Sequence, residues 1–161
     1  MNELIGKLAQ ELKDRELFMC TAESCTGGLI AAACTGLAGS SEWFKGGIVS
    51  YSNEMKMQVL GVPQAMLEQN GAVSIPVVEA MAVGALEACE AQAAIAVSGV
   101  AGPGGGSPEK PVGTVCIGIA LQTAPDTPTA MRSERFLFRG NRDAVREQAV
   151  RQGLLMLRDL F

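Results

Sequence analysis

Leu17-Phe-Met-Cys-Thr-Ala-Glu-Ser-Cys-Thr-Gly-Gly-Leu-Ile-Ala-Ala-Ala-Cys34 is the stretch on which the fold turns. Leu17–Ala22 is a short apolar run of the kind that forms a buried strand. Glu23-Ser24-Cys25-Thr26-Gly27-Gly28 interrupts it with a tight polar turn, and Leu29–Cys34 resumes as a helix of small residues. A strand, a turn and a helix start in that order leave backbone amides pointing outward. The helix dipole there favours an anion or a developing negative charge.

Working outward, the same unit recurs. Before it, Leu4, Ile5, Leu8 and Leu12 fall at helical spacing between Asn2 and about Arg15. After it, Gly36–Gly46 reads as a loop with a short helical piece around Trp43, and Gly47–Ser52 as a second strand. Asn53 is placed to cap a short helix carrying Lys56, Val59 and Leu60; Gly61–Gly71 holds a turn and another short helix. Ser74-Ile75-Pro76 starts a helix running to about Glu90, since proline is favoured in a first turn. Ala93–Val97 is a third buried strand, again running into a polar, glycine-rich segment, Ser98–Ser107. Val112–Leu121 and Met131–Phe138 form a hairpin, and Asn141 caps a final helix with a broad apolar stripe. That stripe is either core or a contact between subunits. The order predicts a single α/β domain over residues 1–161, a three-layer α/β/α sandwich with a mixed sheet.

Composition narrows the function classes. The chain has 161 residues, 48% of them hydrophobic and 19% charged, enough apolar content for a real core. A formal charge of −4 argues against a general nucleic-acid binder, although seven of thirteen Lys and Arg residues fall between Arg132 and Arg158. No apolar run approaches the roughly 18 residues of a membrane span. Five scattered cysteines without a CxxC pair read as reduced thiols, which points to the cytoplasm. There is no histidine at all. Ser-His-Asp triads, Cys-His dyads, histidine zinc sites and imidazole acid–base chemistry are therefore excluded.

Three polar turns, Glu23–Gly28, Ser50–Lys56 and Ser98–Ser107, each follow a predicted strand. In an open α/β sheet ligands gather at the carboxyl ends of strands, so suitable strand order brings these loops together. Neither glycine-rich segment is a Walker A loop, and Gly102-Pro-Gly-Gly-Gly106 does not match GxGxxG. Without histidine a serine needs another base, and a lysine serves once its amine is neutral. Ser24, Tyr51 (the sole tyrosine) and Lys56 form a candidate nucleophile and proton-transfer set, with Ser98 beside them. On spacing alone the same residues fit plainer roles: a helix cap, a strand aromatic, a solvated lysine and a turn cap. Cys25 ranks below Ser24, having no imidazole to make it a thiolate. Arg139, Arg142 and Arg146 cluster at the start of the last helix, either as an ordinary charged face or as forks for a phosphate or carboxylate.

Thr21-Ala-Glu-Ser-Cys-Thr-Gly-Gly28, Ser50-Tyr-Ser-Asn-Glu-Met-Lys56, Gly71-Ala-Val-Ser74, Ser98-Gly-Val-Ala-Gly-Pro-Gly-Gly-Gly-Ser107, Lys110-Pro-Val-Gly-Thr114 and Gly140-Asn-Arg-Asp143 follow one another over nearly the whole chain. Together they resemble the C-terminal domain family of the competence/damage-inducible protein CinA, whose members also occur as stand-alone proteins. The resemblance implies hydrolysis of nicotinamide mononucleotide to nicotinate mononucleotide and ammonia, within pyridine-nucleotide salvage. It further implies Ser24 as nucleophile, Lys56 as base, and Tyr51 and Ser98 as proton-relay or orienting groups. Arg142 becomes a substrate-binding cation. Thr26, Gly27 and Gly28, with Gly102, Gly104 and Gly105, become the backbone around a small-molecule nucleotide, the turn amides facing the oxyanion. A homo-oligomer is implied, and no metal or cofactor. Larger members carry an N-terminal molybdopterin-binding-like pyrophosphatase domain, whose metal-dependent chemistry is not expected here. The alternative is a nucleotide-binding or regulatory module of the same fold without turnover, which an ammonia assay separates from the enzyme. A structural interaction protein using the last helix would leave the polar turns unexplained.

Overall fold

The computed structural model describes residues 1–161. Twelve elements follow in order: α1 (Asn2–Asp14), β1 (Met19–Glu23), α2 (Leu29–Thr35), a 3-10 turn (Ser40–Glu42), β2 (Phe44–Val49), α3 (Asn53–Leu60), α4 (Gln64–Asn70), α5 (Ile75–Cys89), β3 (Ala93–Gly99), β4 (Thr114–Leu121), β5 (Ala130–Leu137) and α6 (Arg142–Arg158). They build the expected three-layer α/β sandwich. The five-stranded sheet has the order β2-β1-β3-β4-β5. β1 pairs in parallel with β2 and β3, while β3–β4 and β4–β5 are antiparallel, so the sheet is mixed.

Alternation along each strand separates two cores. Met19, Ile95, Val97, Val115, Ile117 and Ile119 face the layer of α1, α2 and α6. Cys20, Ala22, Ala94, Ala96, Cys116 and Ala120 face α3, α4 and α5. The second face is built of small side chains, which lets α5 lie close to the sheet. At Gly118 an added Cβ would stand 2.9 Å from the Val78 carbonyl oxygen of α5. The close packing continues outward, because a Cβ on Gly84 would fall 2.0 Å from the carbonyl oxygen of Leu60, the last residue of α3.

Several expected boundaries shift. β1 begins at Met19 rather than Leu17, and β2 runs Phe44–Val49 rather than Gly47–Ser52. The cap of α3 is Ser52, whose hydroxyl accepts the Met55 N–H; Asn53 is already helical. Asn141 caps α6 as expected, its side chain accepting from the Ala144 N–H. The apolar stripe of α6 is core: Val145, Ala149, Val150, Leu154, Met156 and Leu157 are all buried within this one chain. Leu160 and Phe161, at the end of the same stripe, are partly buried against that core. No helix is long and apolar enough to cross a membrane.

Candidate active site

The strand order places the carboxyl ends of β2, β1 and β3 side by side. α2 leaves β1 on one side of the sheet, and α3 leaves β2 on the other, which opens a switch point of the kind where α/β proteins bind ligands. β4 begins and β5 ends at this same edge, so the start of α6 returns to it.

Ser24 follows the last residue of β1. Its N–H donates to the Val97 carbonyl at 2.9 Å, and its own carbonyl accepts the Gly27 N–H at 3.1 Å. Gly27 (φ +60°) and Gly28 (φ +99°) carry the chain through the left-handed region into α2, a path that side chains with a Cβ resist. Lys56 lies one turn into α3, where side chains lean toward the helix N-terminus. Its Nζ therefore returns to the switch point, 3.1 Å from Ser24 Oγ, while donating to the carbonyls of Ser50 (3.0 Å) and Tyr51 (3.2 Å). The residue is 1% exposed, which overturns the reading of a solvated lysine. Burial pushes its pKa below the ordinary lysine value by disfavouring the charged amine.

This geometry has a chemical consequence. A neutral amine has two N–H groups and one lone pair. Two backbone carbonyls engage the N–H groups, and the remaining direction of Nζ faces the Ser24 hydroxyl. A protonated amine would donate to all three oxygens, whereas a neutral one would turn its lone pair to the Ser24 hydroxyl, in direct contact and with no bridging hydroxyl.

Tyr51 occupies a different position from a proton relay between them. Its side chain is exposed, and its hydroxyl accepts from Arg142 at 3.4 Å, while only its backbone carbonyl touches Lys56. Ser98 is buried at the end of β3, next to the Val97 carbonyl that holds Ser24, and its hydroxyl bonds neither Ser24 nor Lys56. Arg142 also donates to the Gly102 carbonyl at 2.9 Å, so it links the start of α6 to the glycine loop and to Tyr51. Pro103–Glu109 is exposed, and Gly102 and Gly105 are left-handed (φ +83° and +84°). Lys110 ties the far end of this loop to the Asn70 carbonyl at 2.7 Å.

The turn amides are not all available, which corrects one expectation. The Gly27 N–H is engaged with Ser24, and the Gly28 N–H donates to the Glu23 carboxylate at 3.0 Å. Within Ser24–Gly28, only the N–H groups of Cys25 and Thr26 meet no oxygen of the protein; that of Cys25 approaches only its own sulfur, a weak acceptor. The amides of this turn open to an incoming acceptor are thus those of Cys25 and Thr26, rather than those of Gly27 or Gly28. The amide following a nucleophile is also the donor used in other strand–turn–helix hydrolase sites. The Cys25 thiol is buried and pushed up to about 11 by that burial, so it stays protonated.

Two further groups of the site hold places that the sequence reading did not give them. Glu23 stands in the quoted motif as part of a polar turn, and Arg146 in the arginine cluster read as a charged face or as forks for a phosphate or carboxylate. Both are bound to the Ser24 turn: Glu23 by the amides of Gly28, Ile30 and Ala31, and Arg146 by the carbonyls of Cys25 and Thr26. The hydroxyls of Thr26 and Ser50 are buried without a partner in the protein. The signal for Arg146 was its four-residue spacing from Arg142; for Glu23 there was only its place before the serine.

Comparison with known proteins bears on the family. The CinA C-terminal domain family matches residues 1–161. The nicotinamide-nucleotide amidohydrolase PncC of Escherichia coli K12 is 48% identical over 159 residues, covering 99% of this chain and 93% of that protein. A relative from Symbiobacterium thermophilum is also 48% identical, but the match covers 97% of this chain and only 37% of the longer protein. The crystal structure of the competence/damage inducible protein CihA from Agrobacterium tumefaciens superposes with a TM-score of 0.90 at 40% identity, over 98% of this chain and 93% of that one. With the motifs, the fold and a match along the full length in agreement, the chain belongs to the CinA C-terminal domain family.

Proposed function

We propose that this protein is an amidohydrolase that removes the amide nitrogen of nicotinamide mononucleotide, giving nicotinate mononucleotide and ammonia. The observation that carries the reading is the buried Ser24–Lys56 contact of 3.1 Å at the sheet switch point. The 48% identity to an amidohydrolase named for nicotinamide nucleotides supplies the substrate class.

In this mechanism neutral Lys56 takes the Ser24 proton as Oγ bonds to the carboxamide carbon. The carbonyl π pair moves to oxygen, where the N–H groups of Cys25 and Thr26 receive the negative charge. One such donor is worth about 2.7–4 kcal/mol in comparable sites. Collapse of the tetrahedral intermediate breaks the C–N bond, and the Lys56 ammonium protonates the departing nitrogen to release ammonia. Water then enters, gives a proton to Lys56 and attacks the acyl-Ser24 ester. Collapse breaks the C–Oγ bond, and Lys56 returns the proton to Ser24. Arg142 and the Gly102–Gly105 loop bind the ribose phosphate, and Thr26 supports the reacting end. Ser98 and Tyr51 orient the site around the pair rather than passing the proton.

Ser24→Ala is expected to keep the fold and to bind nicotinamide mononucleotide, measured by calorimetry, while ammonia release falls to background. Turnover retained in that variant would refute the nucleophile assignment. Nucleotide binding by the wild-type chain with no ammonia release would assign it instead to the non-catalytic module.

A further inference from the structure

Glu23 and Arg146 grip opposite polarities of a single turn. The Glu23 carboxylate is 1% exposed and accepts four hydrogen bonds: from the N–H groups of Gly28 (3.0 Å), Ile30 (3.1 Å) and Ala31 (2.9 Å), and from the Thr21 hydroxyl (3.2 Å). The amides at the start of α2, which would otherwise receive an anion, are thereby filled by the protein's own carboxylate. A second negative group is repelled from that end of the helix. From the opposite side Arg146 donates Nε to the Cys25 carbonyl (3.1 Å) and Nη2 to the Thr26 carbonyl (3.2 Å).

The planar trans peptide makes the second grip directional. A carbonyl and the following N–H point in opposite directions. Holding the Cys25 carbonyl against α6 therefore turns the Thr26 N–H away from α6. The Ser24 carbonyl, engaged by the Gly27 N–H, fixes the Cys25 N–H in the same manner. With Glu23 and Arg146 both engaged, the Cys25 and Thr26 amides are the donors of the turn left free of protein oxygens, next to the hydroxyl that Lys56 faces.

We infer that Glu23 and Arg146 are positioning residues for amide hydrolysis: neither touches the substrate, and together they set the direction of the two oxyanion donors beside Ser24. This rests on the hydrolytic reading above. The amides that Glu23 fills are closed to a phosphate, in keeping with the proposed function's assignment of that group to Arg142.

The test is steady-state ammonia release from nicotinamide mononucleotide by Glu23→Gln and Arg146→Lys, with folded protein quantified by circular dichroism and thermal melting. Glutamine keeps the shape of Glu23 but turns an N–H₂ toward at least one backbone N–H. Lysine keeps the charge of Arg146 but cannot hold two carbonyls in a fixed fork. Each variant is expected to lose at least about ten-fold in kcat with KM within about two-fold, the signature of donors used only in the transition state. A wild-type kcat per folded molecule with only a lowered melting point would show a purely structural role and overturn the inference. A raised KM at unchanged kcat in Arg146→Lys would make that residue a substrate ligand instead, and would overturn its half. Should Glu23→Gln not fold, Arg146→Lys decides the matter alone by the same criteria. A wild-type chain releasing no ammonia would overturn the hydrolytic reading, and this inference with it; an active wild type with unaltered variants would overturn this inference only.

Discussion

Replacing Lys56 with arginine separates a base from a mere hydrogen-bond donor. The guanidinium stays protonated at any accessible pH and can still donate to the carbonyls of Ser50 and Tyr51, but it offers Ser24 no lone pair. General base catalysis contributes about 10²–10⁴ in rate, or about 2.7–5.5 kcal/mol. Lys56→Arg is therefore expected to lose that factor in kcat/KM for ammonia release, and Lys56→Met to lose at least as much. The wild-type rate should rise with pH through the folded pKa of Lys56, which burial holds below the lysine value of 10.5. Stability reports the same group independently. Between that lowered pKa and about 10.4 the unfolded chain binds the proton that the folded chain has lost, so stability rises with pH across this window. Lys56→Met removes this titration, and the stability of wild type relative to Lys56→Met should climb between neutral pH and about pH 10 in urea unfolding. A Lys56→Arg enzyme within ten-fold of wild type, or a stability difference that does not change with pH, would refute the reasoning.

Three other outcomes are expected. Gly84→Ala would set a Cβ 2.0 Å from the Leu60 carbonyl oxygen and 2.8 Å from its carbon, backbone atoms that no rotamer change can move. It should cost about 1–3 kcal/mol as overpacking, and it should also lower kcat because Leu60 ends the helix that carries Lys56; an unchanged melting point would contradict this. Arg142→Lys should raise KM about ten-fold with kcat held within about two-fold, the pattern of lost ground-state binding, and an unaltered KM would remove Arg142 from the substrate site. In brief alkylation near pH 7.5, followed by peptide mass analysis, Cys89 should react first. It is the one cysteine of the five that is not buried, and its pairing with Cys20 lowers its pKa, whereas burial lifts Cys25 to about 11 and Cys34 to about 12. Equal labelling of Cys25 and Cys89 in the folded protein would be the contrary result.

The parts of the molecule legible in the sequence are those where a local pattern and the tertiary fold ask for the same residues. The fully buried strands β1 and β3 are continuous apolar runs that end at polar turns, so the turn containing Ser24 announced itself. β2 did not. As an edge strand it alternates in burial, and Lys45, Gly46 and Gly47 break its apolar run; pairing with β1 and the stacking of Lys45 on Phe18 extend it back to Phe44. The Ser52 cap was hidden by Asn53, an equally good cap one position later. Glu23 was opaque for a deeper reason. A carboxylate beside a turn reads as solvated charge, and only the three-dimensional approach of α2 back over β1 supplies three amide partners to a group that is expensive to bury without them.

Lys56 shows why polar motifs alone do not define this site. The motif supplies an amine, but its usefulness as a base depends on its being neutral, and the leading cause of its lowered pKa is burial rather than a neighbouring charge. That burial belongs to the apolar packing on which α3 sits. Small residues on one face of the sheet, Cys20, Ala22, Ala94, Ala96 and Gly118, draw α5 inward, and Gly84 lets the end of α3 settle against α5. Apart from the buried Cys20 thiol, none of those positions bears a group that could react. They nevertheless fix where α3 sits, and with it the burial that lowers the Lys56 pKa. In a chain without histidine, the proposed mechanism has core packing acting on an ordinary lysine supply the acid–base property that imidazole would bring intrinsically, which makes the apolar interior beneath α3 as much a part of that mechanism as the serine.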